Sequence, residues 1–594
     1  MIHDHQRLDG LSKQGETVND NKRLEREKCK LTQLIRPLTS GNWKAFLEVV
    51  QRVAKTPATT PNKSEFIFEF SQAAARNNSM IMRRHGYDLA KAIQAYPNTT
   101  ISPGSELRTF DLLDTLLSHH PNFERFKENS TKGIDYDISE LPEEERVKEL
   151  IDQIERGNHK SALTQEAEPI VSKLMSEDVT LGYAIPITKR CLIKLKEAEL
   201  YPCGLQHQMT VNEKGEIIPK KRVTHDLSNR KKHGKSINQR VNEETLPPTS
   251  YGFALMRFLH LIHHIRWTHP NKRILMMKTD FDKAYRRLHT KPRIAAKCIA
   301  AWETRNEETG TNKFIASVLT RLPFGSTPAP AEFSICSEMI FDLASDLLHC
   351  KGWDPTTIKH PHTHLIEDPE RLPDEIQFTK ALEADVKLPP EQEAGTEGYI
   401  DDGAVATIDD EDDLNQIERA KHALPMATHL VFRPNNPDDE PLPRPDPLSI
   451  RKLKAEARLR ESITFLGWEI DSRRMTIKLP TEKLKIWTKS IEDLLQAEVA
   501  RFEEVQTLVG RLNHVGYIIP NARHFLNRIR RLEYAADKYG SAKIHTSTIK
   551  DLQLWTIFLE EANKGLSIKN SSVKKSDARF SSAPLDWISI NCWA

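Results

Sequence analysis

The chain has 594 residues, 38% hydrophobic and 29% charged, enough to bury a large core and to form several folding units. Lys plus Arg (86) and Asp plus Glu (84) nearly cancel to a formal charge of +2, which excludes a uniformly basic nucleic-acid binder but not a segregated one. No apolar run approaches the roughly 18–20 residues of a bilayer span, and the opening MIHDHQRLDGLSKQ lacks the apolar stretch of a secretory signal.

In chain order, residues 1–160 are polar, charge-mixed and helix-prone, with short amphipathic stretches such as Trp43, Phe46, Leu47 and Val50. The text Asp135–Arg146 (DYDISELPEEER) reads as a linker or exposed turn. From about Leu181 the texture changes to short β-like runs and basic clusters. Leu205–Leu227 predicts a hairpin turning at Asn212-Glu213-Lys214-Gly215. Ser250–Ile265 predicts a buried helix, and Ile274–Phe281 (ILMMKTDF) a central strand ending in an acid. Helical text follows Pro328. Cys350–Gly398 is Pro- and acid-rich with little periodicity, the signature of a surface insertion. Its histidines (His360, His362, His364) have no carboxylate or cysteine at ligand spacing and read as part of that loop. Gly398–Thr407 (GYIDDGAVAT) predicts a hairpin with Asp-Asp at its turn, and Arg433–Pro447 a Pro-rich connector. TFLGWEID and MTIKLP predict strands. Phe502–Gly540 predicts two basic amphipathic helices separated at Pro520, with Asn521 capping the second. The seven cysteines are scattered, without a CxxC pair, which fits a reducing compartment.

The chemistry concentrates in two places. Asp280 ends one β-type run, and Asp401-Asp402 follow Tyr399-Ile400 in another. Phosphoryl and nucleotidyl transfer use two divalent ions about 3.5–4 Å apart, and Mg²⁺ needs only two or three carboxylates besides water and substrate phosphates. A strand-end acid beside an acid-bearing turn suits that demand. A solvated turn is the other reading of any Asp-Asp pair, and such pairs recur at Asp409-Asp410 and Asp412-Asp413. The order of motifs narrows the choice. Asp280 is followed five residues on by Tyr285, then by LPFGSTPAPAEF (Leu322–Phe333), YIDD (Tyr399–Asp402) and FLGWEID (Phe465–Asp471).

In that order the motifs resemble the reverse transcriptases of retroelements, over roughly Leu181–Tyr539. The resemblance implies an α+β right-hand polymerase. Fingers would span 161–273, and an antiparallel-sheet palm 274–475 with an acidic Pro-rich insertion at about 350–398. A connection and helical thumb would span 476–565, and a mostly helical, partly flexible region of unassigned role 1–160. It implies Asp280, Asp401 and Asp402 as catalytic metal ligands for two Mg²⁺ ions, with Mn²⁺ as a substitute. Tyr285 matches the aromatic beneath the incoming sugar, a plain core aromatic being the other reading. Phe324 and Gly325 match the segment at the nascent base pair, although Ser326 and Pro328 stand where the family often has Leu and Asn. KKRVTHDLS resembles the hairpin that closes on the triphosphate, with Arg222 as its phosphate-binding arginine. Lys220 and Lys221 are either nucleic-acid or phosphate ligands or a solvated strand edge, and Asp226 orders the hairpin. Lys454 stands where the family's general acid precedes the FLGW strand. FLGW resembles a primer grip, with Trp468 either there or in the core. The thumb would carry the apolar stripe Val505, Leu508, Val509, Leu512 and Val515, with Arg523, Arg528 and Arg531 tracking a phosphate backbone.

Within the family, DLSNRKKHGKSIN, the LVGRLN…IIPNARHFL text and TIKLP look most like DIRS-like, tyrosine-recombinase-class retrotransposons. An RNase H domain opens there with a Ser-Asp-Ala box. Here Ser576-Asp577-Ala578 lies in a tail, 566–594, without the Gly-rich strand that should follow, so no RNase H activity is expected. The expected protein is an RNA-directed DNA polymerase that extends a primer on RNA or DNA with dNTPs, cytoplasmic and/or nuclear, with no membrane partner. The alternatives are a degenerate copy that only binds nucleic acid, an assembly module at 1–160 with the palm as cargo, and an RNA-templated RNA polymerase. The near-zero charge resolves into segregation. Lys220, Lys221, Arg222, Arg230, Lys231, Lys232, Lys235 and Arg240 crowd the fingers, and the acids crowd the insertion and the runs Asp409–Asp413 and Asp438–Glu440.

Overall fold

The computed structural model describes residues 42–229, 234–305, 312–373, 377–383, 388, 392–410 and 412–571. Arg230, Lys231, Lys232 and the Ser576-Asp577-Ala578 box lie outside the described residues. The N-terminal part folds into helices α1 (Trp43–Lys55), α2 (Gln72–Arg84), α3 (Leu89–Gln94), α4 (Phe110–Leu117), α5 (Phe123–Lys132), α6 (Glu143–Arg156) and α7 (Glu168–Thr180). Asn42, Ser71 and Asp88 cap the first three, each side chain accepting a backbone N–H of the first turn. These helices are not a separate unit. Phe46, Leu113 and Phe126 share one core with Leu275, Phe333 and Leu430, so the core runs continuously across residue 160. The text read as a linker is threaded through it. Tyr136 and Ile138 are buried, and Ile134 and Ile138 bridge to Thr290 and Val241. The alternation Ile134, Tyr136, Ile138 is a strand-like period that the acidic flank conceals.

Strands follow in chain order: β1 (Ala184–Thr188), β2 (Leu200–Tyr201), the long hairpin β3 (Cys203–Val211) and β4 (Ile217–His225), then β5 (Ile274–Asp280), β6 (Ile299–Arg305), β7 (Asn312–Leu319), β8 (Ala394–Tyr399), β9 (Asp402–Ile408), β10 (Ser462–Phe465), β11 (Trp468–Asp471) and β12 (Thr476–Lys478). One four-stranded sheet has the order β1-β7-β6-β2, and the sheet that carries the acids has the order β5-β9-β8. Among them lie helices α8 (Ala254–Thr268), α9 (Ala329–His349), α10 (Leu414–Val431) and α11 (Ile450–Glu456), followed by α12 (Thr481–Gln496), α13 (Phe502–Ile518), α14 (Asn527–Tyr539) and α15 (Thr546–Lys564).

The run ILMM lacks alternation because both faces of β5 are covered. Leu275, Met277 and Val405 enter the first core. Ile274, Met276, Ala404 and Ala406 enter a second core built with α8 and the C-terminal helices. Two glycines set the seat of the acid-bearing hairpin. Gly398 and Gly403 face each other across the β8–β9 ladder, and a Cβ on Gly398 would lie 1.8 Å from the Phe341 ring of α9. A buried fork holds the same hairpin from the other side: Arg257 of α8 donates to both oxygens of Glu397 at 2.8 and 2.9 Å.

Three sequence readings need correction, and one left open, the place of Trp468, is decided for the core. TFLGWEID is not one strand but the hairpin β10–β11, turning at Leu466 (φ +47°) and Gly467 (φ +76°). Trp468 is wholly buried and stacks on His514, ring centroids 5.1 Å apart, so it is a core residue. Asn521 sits inside a 3₁₀ segment, Pro520–Leu526, and α14 begins only at Asn527. The insertion is anchored at its start, with Trp353, Ile358 and His360 buried.

One ion cluster ties the N-terminal part to the rest. Glu106, 2% exposed, accepts from Arg287 (3.2 Å), Arg321 (3.3 Å) and Arg444 (3.1 Å). Burial alone would raise the Glu106 pKa, but Arg321, Arg287 and Arg444 together hold it well below the usual carboxylate range. Glu106→Gln removes the negative charge that all three arginines share and should cost about 3–5 kcal/mol, read from urea unfolding. Gly398→Ala should cost about 1–3 kcal/mol by overpacking against Phe341. Combined with Phe341→Leu it should cost less than the sum of the two single changes, and strict additivity would show that the ring does not set the hairpin's seat.

Candidate active site

Asp280 closes β5 and Asp402 opens β9, and the two are direct partners across the antiparallel ladder. Asp401 precedes Asp402 on the turn, its carbonyl oxygen accepting the Phe281 N–H at 3.3 Å. The turn is reached through Ile400 at φ +56°, a left-handed conformation that costs a β-branched residue roughly 1–2 kcal/mol. The ladder and this strained turn bring together three carboxylates that lie far apart in sequence.

Their crowding has a clear electrostatic signature. Burial, and then the Asp402 charge, push the Asp280 carboxyl up to about 7. Burial and the Asp280 charge push Asp401 up to about 7 as well, and burial with Asp401 raises Asp402. Lysines offset part of this. Lys452 of α11 forms an ion pair with Asp280, and Lys278, which holds Glu456 at 2.9 Å, favours the charged form of Asp402. Burial alone would lower the Lys452 pKa, but the Asp280 and Asp402 carboxylates raise it, so it is protonated at neutral pH.

Lys454, the expected general acid, points elsewhere and meets Glu213 at the tip of the β3–β4 hairpin at 3.0 Å. On a helix, positions 452 and 454 are about 200° apart around the axis, and spacing to the FLGW text does not say which face turns inward. Arg451 donates to Thr210 of the hairpin at 3.1 Å, so α11 contacts hairpin and acids at once. On β4 the strand period puts Lys220 and Arg222 on one face and Lys221 on the other. Arg222 favours the charged form of Asp401. Lys220 is pushed down to about 8 by burial and by its neighbours Arg222 and Arg451. Lys220, Arg222, Arg451 and Lys452 thus form a cationic rim beside the acids.

Tyr285 packs on Phe324 (ring centroids 4.8 Å) and Phe333 (5.6 Å). Burial, and next the Asp401 charge, push its phenol well above the ordinary value, which places it beside the acids. Gly325 has φ +89°, and a Cβ there would lie 2.4 Å from the His225 carbonyl oxygen. The close approach is to the foot of the β3–β4 hairpin. Asn238, which the sequence reading missed, clamps this segment by donating to the Gly325 carbonyl (2.8 Å) and accepting from Thr327 N (3.0 Å). Asp226 accepts from Ser228 N and pairs with His159 at the hairpin base. The three expected backbone-tracking arginines differ. Arg523 lies against Gly516, Arg528 pairs with Asp551 at 3.2 Å, and Arg531 is exposed on the same helix as exposed Tyr534.

Among the described residues, the three aspartates do not converge as a three-donor cage; the group that does is His362, His429 and Asp446. Hard carboxylate oxygens at Asp280, Asp401 and Asp402 nonetheless fit Mg²⁺, which takes few protein ligands and keeps its waters.

No protein-family model and no curated protein matches the chain. Among solved structures it is similar to the foamy viral protease-reverse transcriptase dRH in complex with double-stranded DNA, at 14% identity over 73% of this chain and 59% of that chain, with a TM-score of 0.36. A second structure, of the foamy viral protease-reverse transcriptase with double-stranded DNA, matches at 16% identity over 72% of this chain and 74% of that chain, with a TM-score of 0.33. The chain thus spans less than two thirds of the first of these proteins.

The raised carboxyls make stability depend on pH. Between the ordinary value of 3.8 and about 7, folded Asp280 and Asp401 hold protons that the unfolded chain has released. The metal-free fold therefore loses stability as pH rises through that window. Asp401→Asn should stabilise the chelator-treated protein at pH 8 by about 1–3 kcal/mol, one pKa unit being worth about 1.4 kcal/mol. The gain should shrink toward pH 4, and Mg²⁺ should stabilise the wild type more than the variant. Thermal melts across pH, with and without Mg²⁺, measure both.

Proposed function

We propose that this chain is an RNA-directed DNA polymerase of the retroelement type, transferring nucleotides from dNTPs to a primer 3′ end on an RNA or DNA template. One observation carries the reading: three recessed carboxylates, two of them in ladder register, face a rim of Lys220, Arg222, Arg451 and Lys452. Acids beside cations suit a substrate that is a polyphosphate and a reaction that neutralises its charge.

In this reading β5, β8 and β9 are the palm, the β3–β4 hairpin belongs to the fingers and α13–α14 to the thumb. Asp280, Asp401 and Asp402 would hold two Mg²⁺ or Mn²⁺ ions. What the ions supply when bound is an activated 3′ oxygen and neutralised phosphate charge. Arg222 and Lys220 grip the triphosphate through charge-assisted hydrogen bonds. Lys452 Nζ holds the proton that the pyrophosphate oxygen takes up on leaving, the role expected of Lys454. Tyr285, wedged between Phe324 and Phe333, presents a flat wall to the sugar and screens the 2′-hydroxyl. Arg531 and Tyr534 offer an exposed charge and an exposed ring to the nucleic-acid backbone and bases. Catalysis rests on positioning and charge stabilisation rather than on a covalent intermediate.

Primer extension on an oligo(dT)-primed poly(rA) template tests the assignment. Asp401→Asn should lower incorporation by more than about 100-fold. Lys452→Met should lower it by about 100-fold, with Lys454→Met near wild type. Tyr285→Ala should relax the preference for dNTPs over NTPs. A folded wild-type chain that incorporates nothing would sink the reading, and a defect at Lys454 with none at Lys452 would return the acid role to Lys454.

A further inference from the structure

The KHPHTH histidines do not form a simple surface loop. His360 is 4% exposed, and His362 Nε2 lies 2.7 Å from Asp446 Oδ2. His429, on α10 and 2% exposed, places its own Nε2 3.2 Å from the same oxygen. The carboxylate partner sought near these histidines in sequence stands 84 positions downstream. Among the described residues, this is the group that brings three donor atoms within 4.8 Å of one another.

The surrounding hydrogen bonds assign the protons of His429, His360 and His422. His429 Nδ1 lies 2.9 Å from the Pro425 carbonyl and must donate to it, which leaves a lone pair on Nε2 in the neutral ring. His360 Nδ1 accepts the His362 N–H at 3.2 Å, so its Nε2–H donates to His422 Nδ1 at 3.0 Å. His422 Nε2–H then faces Glu418 at 3.6 Å. Asp446 is aimed from its other side, where Oδ1 accepts the Leu448 N–H at 2.9 Å. Two imidazole nitrogens therefore converge on one carboxylate oxygen. Protonating both rings would set two cations side by side, with ring centroids 5.4 Å apart. A single divalent cation between the three donors satisfies all of them.

We propose that His362, His429 and Asp446 form a structural metal site for Zn²⁺, separate from the polymerase ions. Two imidazoles and one carboxylate suit a borderline cation such as Zn²⁺ or Co²⁺ better than Mg²⁺, which favours all-oxygen sites. The three donor atoms lie within 4.8 Å of one another, the scale on which ligand bonds of about 2.0–2.2 Å can close on one ion. The Pro425 carbonyl is the outer partner that orients a ligating histidine, as metal sites generally require.

The site staples three segments: the insertion, α10 and the connector before α11. The Asp446 carbonyl oxygen also accepts from Arg287 at 2.5 Å. Three residues on, Ser449 N donates to the Asp280 carbonyl at 2.9 Å, and α11 then carries Lys452 to the Asp280 side chain. The ion fixes the connector that positions this lysine.

The test uses the full chain carrying Asp401→Asn, stripped with chelator and dialysed against Zn²⁺ or Co²⁺ alone. One equivalent of zinc should remain bound, and Co²⁺ should give visible ligand-field absorption. His362→Asn or Asp446→Asn, added singly, should weaken zinc binding by more than about 100-fold while circular dichroism stays unchanged. His362→Asn, the most solvent-exposed ligand, serves if Asp446→Asn does not fold. Retention of no zinc by the folded chain, equal retention by His362→Asn, or preference for Mg²⁺ would each overturn the site.

Discussion

The mutual repulsion of three carboxylates is the constraint to which the rest of the structure answers. Like charges placed directly opposite on an antiparallel ladder destabilise it, and Asp280 faces Asp402 in that way. Recessing them raises the cost, because the charged forms lose water. The surroundings hold the arrangement by force from several sides. Arg257 grips β8 through Glu397, Phe341 fills the space that Gly398 and Gly403 leave, and Lys452 and Lys278 supply counter-charge. Even the backbone is strained where it must turn, at Ile400. A site built this way is held by its packing: the ladder, the buried fork and the nearby lysines keep together carboxylates that repel one another.

Much of this was legible in the sequence where a short-range pattern carries the signal. The apolar run of β5 ending in an acid, the Asp-Asp turn of the next hairpin and the Asn-Glu-Lys-Gly turn of β3–β4 are local features with local causes, and they appear where expected. What failed depends on direction or on distance. Lys452 and Lys454 are two residues apart, but only the fold decides which face of α11 meets Asp280. The FLGW text leaves open whether Trp468 faces a substrate or the core, and the fold decides it: the chain turns at Leu466-Gly467 and the indole goes inward. The histidines looked unpartnered because Asp446 lies outside any local window.

The N-terminal part was opaque for a different reason. Its helices show apolar stripes such as Phe46, Val50 and Val53, but the stripe does not say what it packs against, and the other half of that core comes from β5, α9 and α10. Glu106 is the sharpest case. In sequence it is one acid among many; in the fold it is the buried counter-charge of three arginines drawn from distant segments. Nothing in its local text distinguishes it from a solvated residue.

The connector between α10 and α11 shows why a Pro-rich stretch is poorly read as a passive link. Along a few residues it meets three separate structures. Arg444 reaches Glu106 and so the N-terminal helices. Asp446 closes the histidine group. Ser449 bonds the backbone of Asp280, and the helix that follows brings Lys452 to its side chain. Proline suits this task, because a segment whose contacts are made by side chains and by a few chosen backbone groups gains from reduced freedom in the unfolded chain. Arg444, Asp446, Ser449 and Lys452 lie within nine residues of one another, so one short stiff segment joins Glu106, the histidines and Asp280.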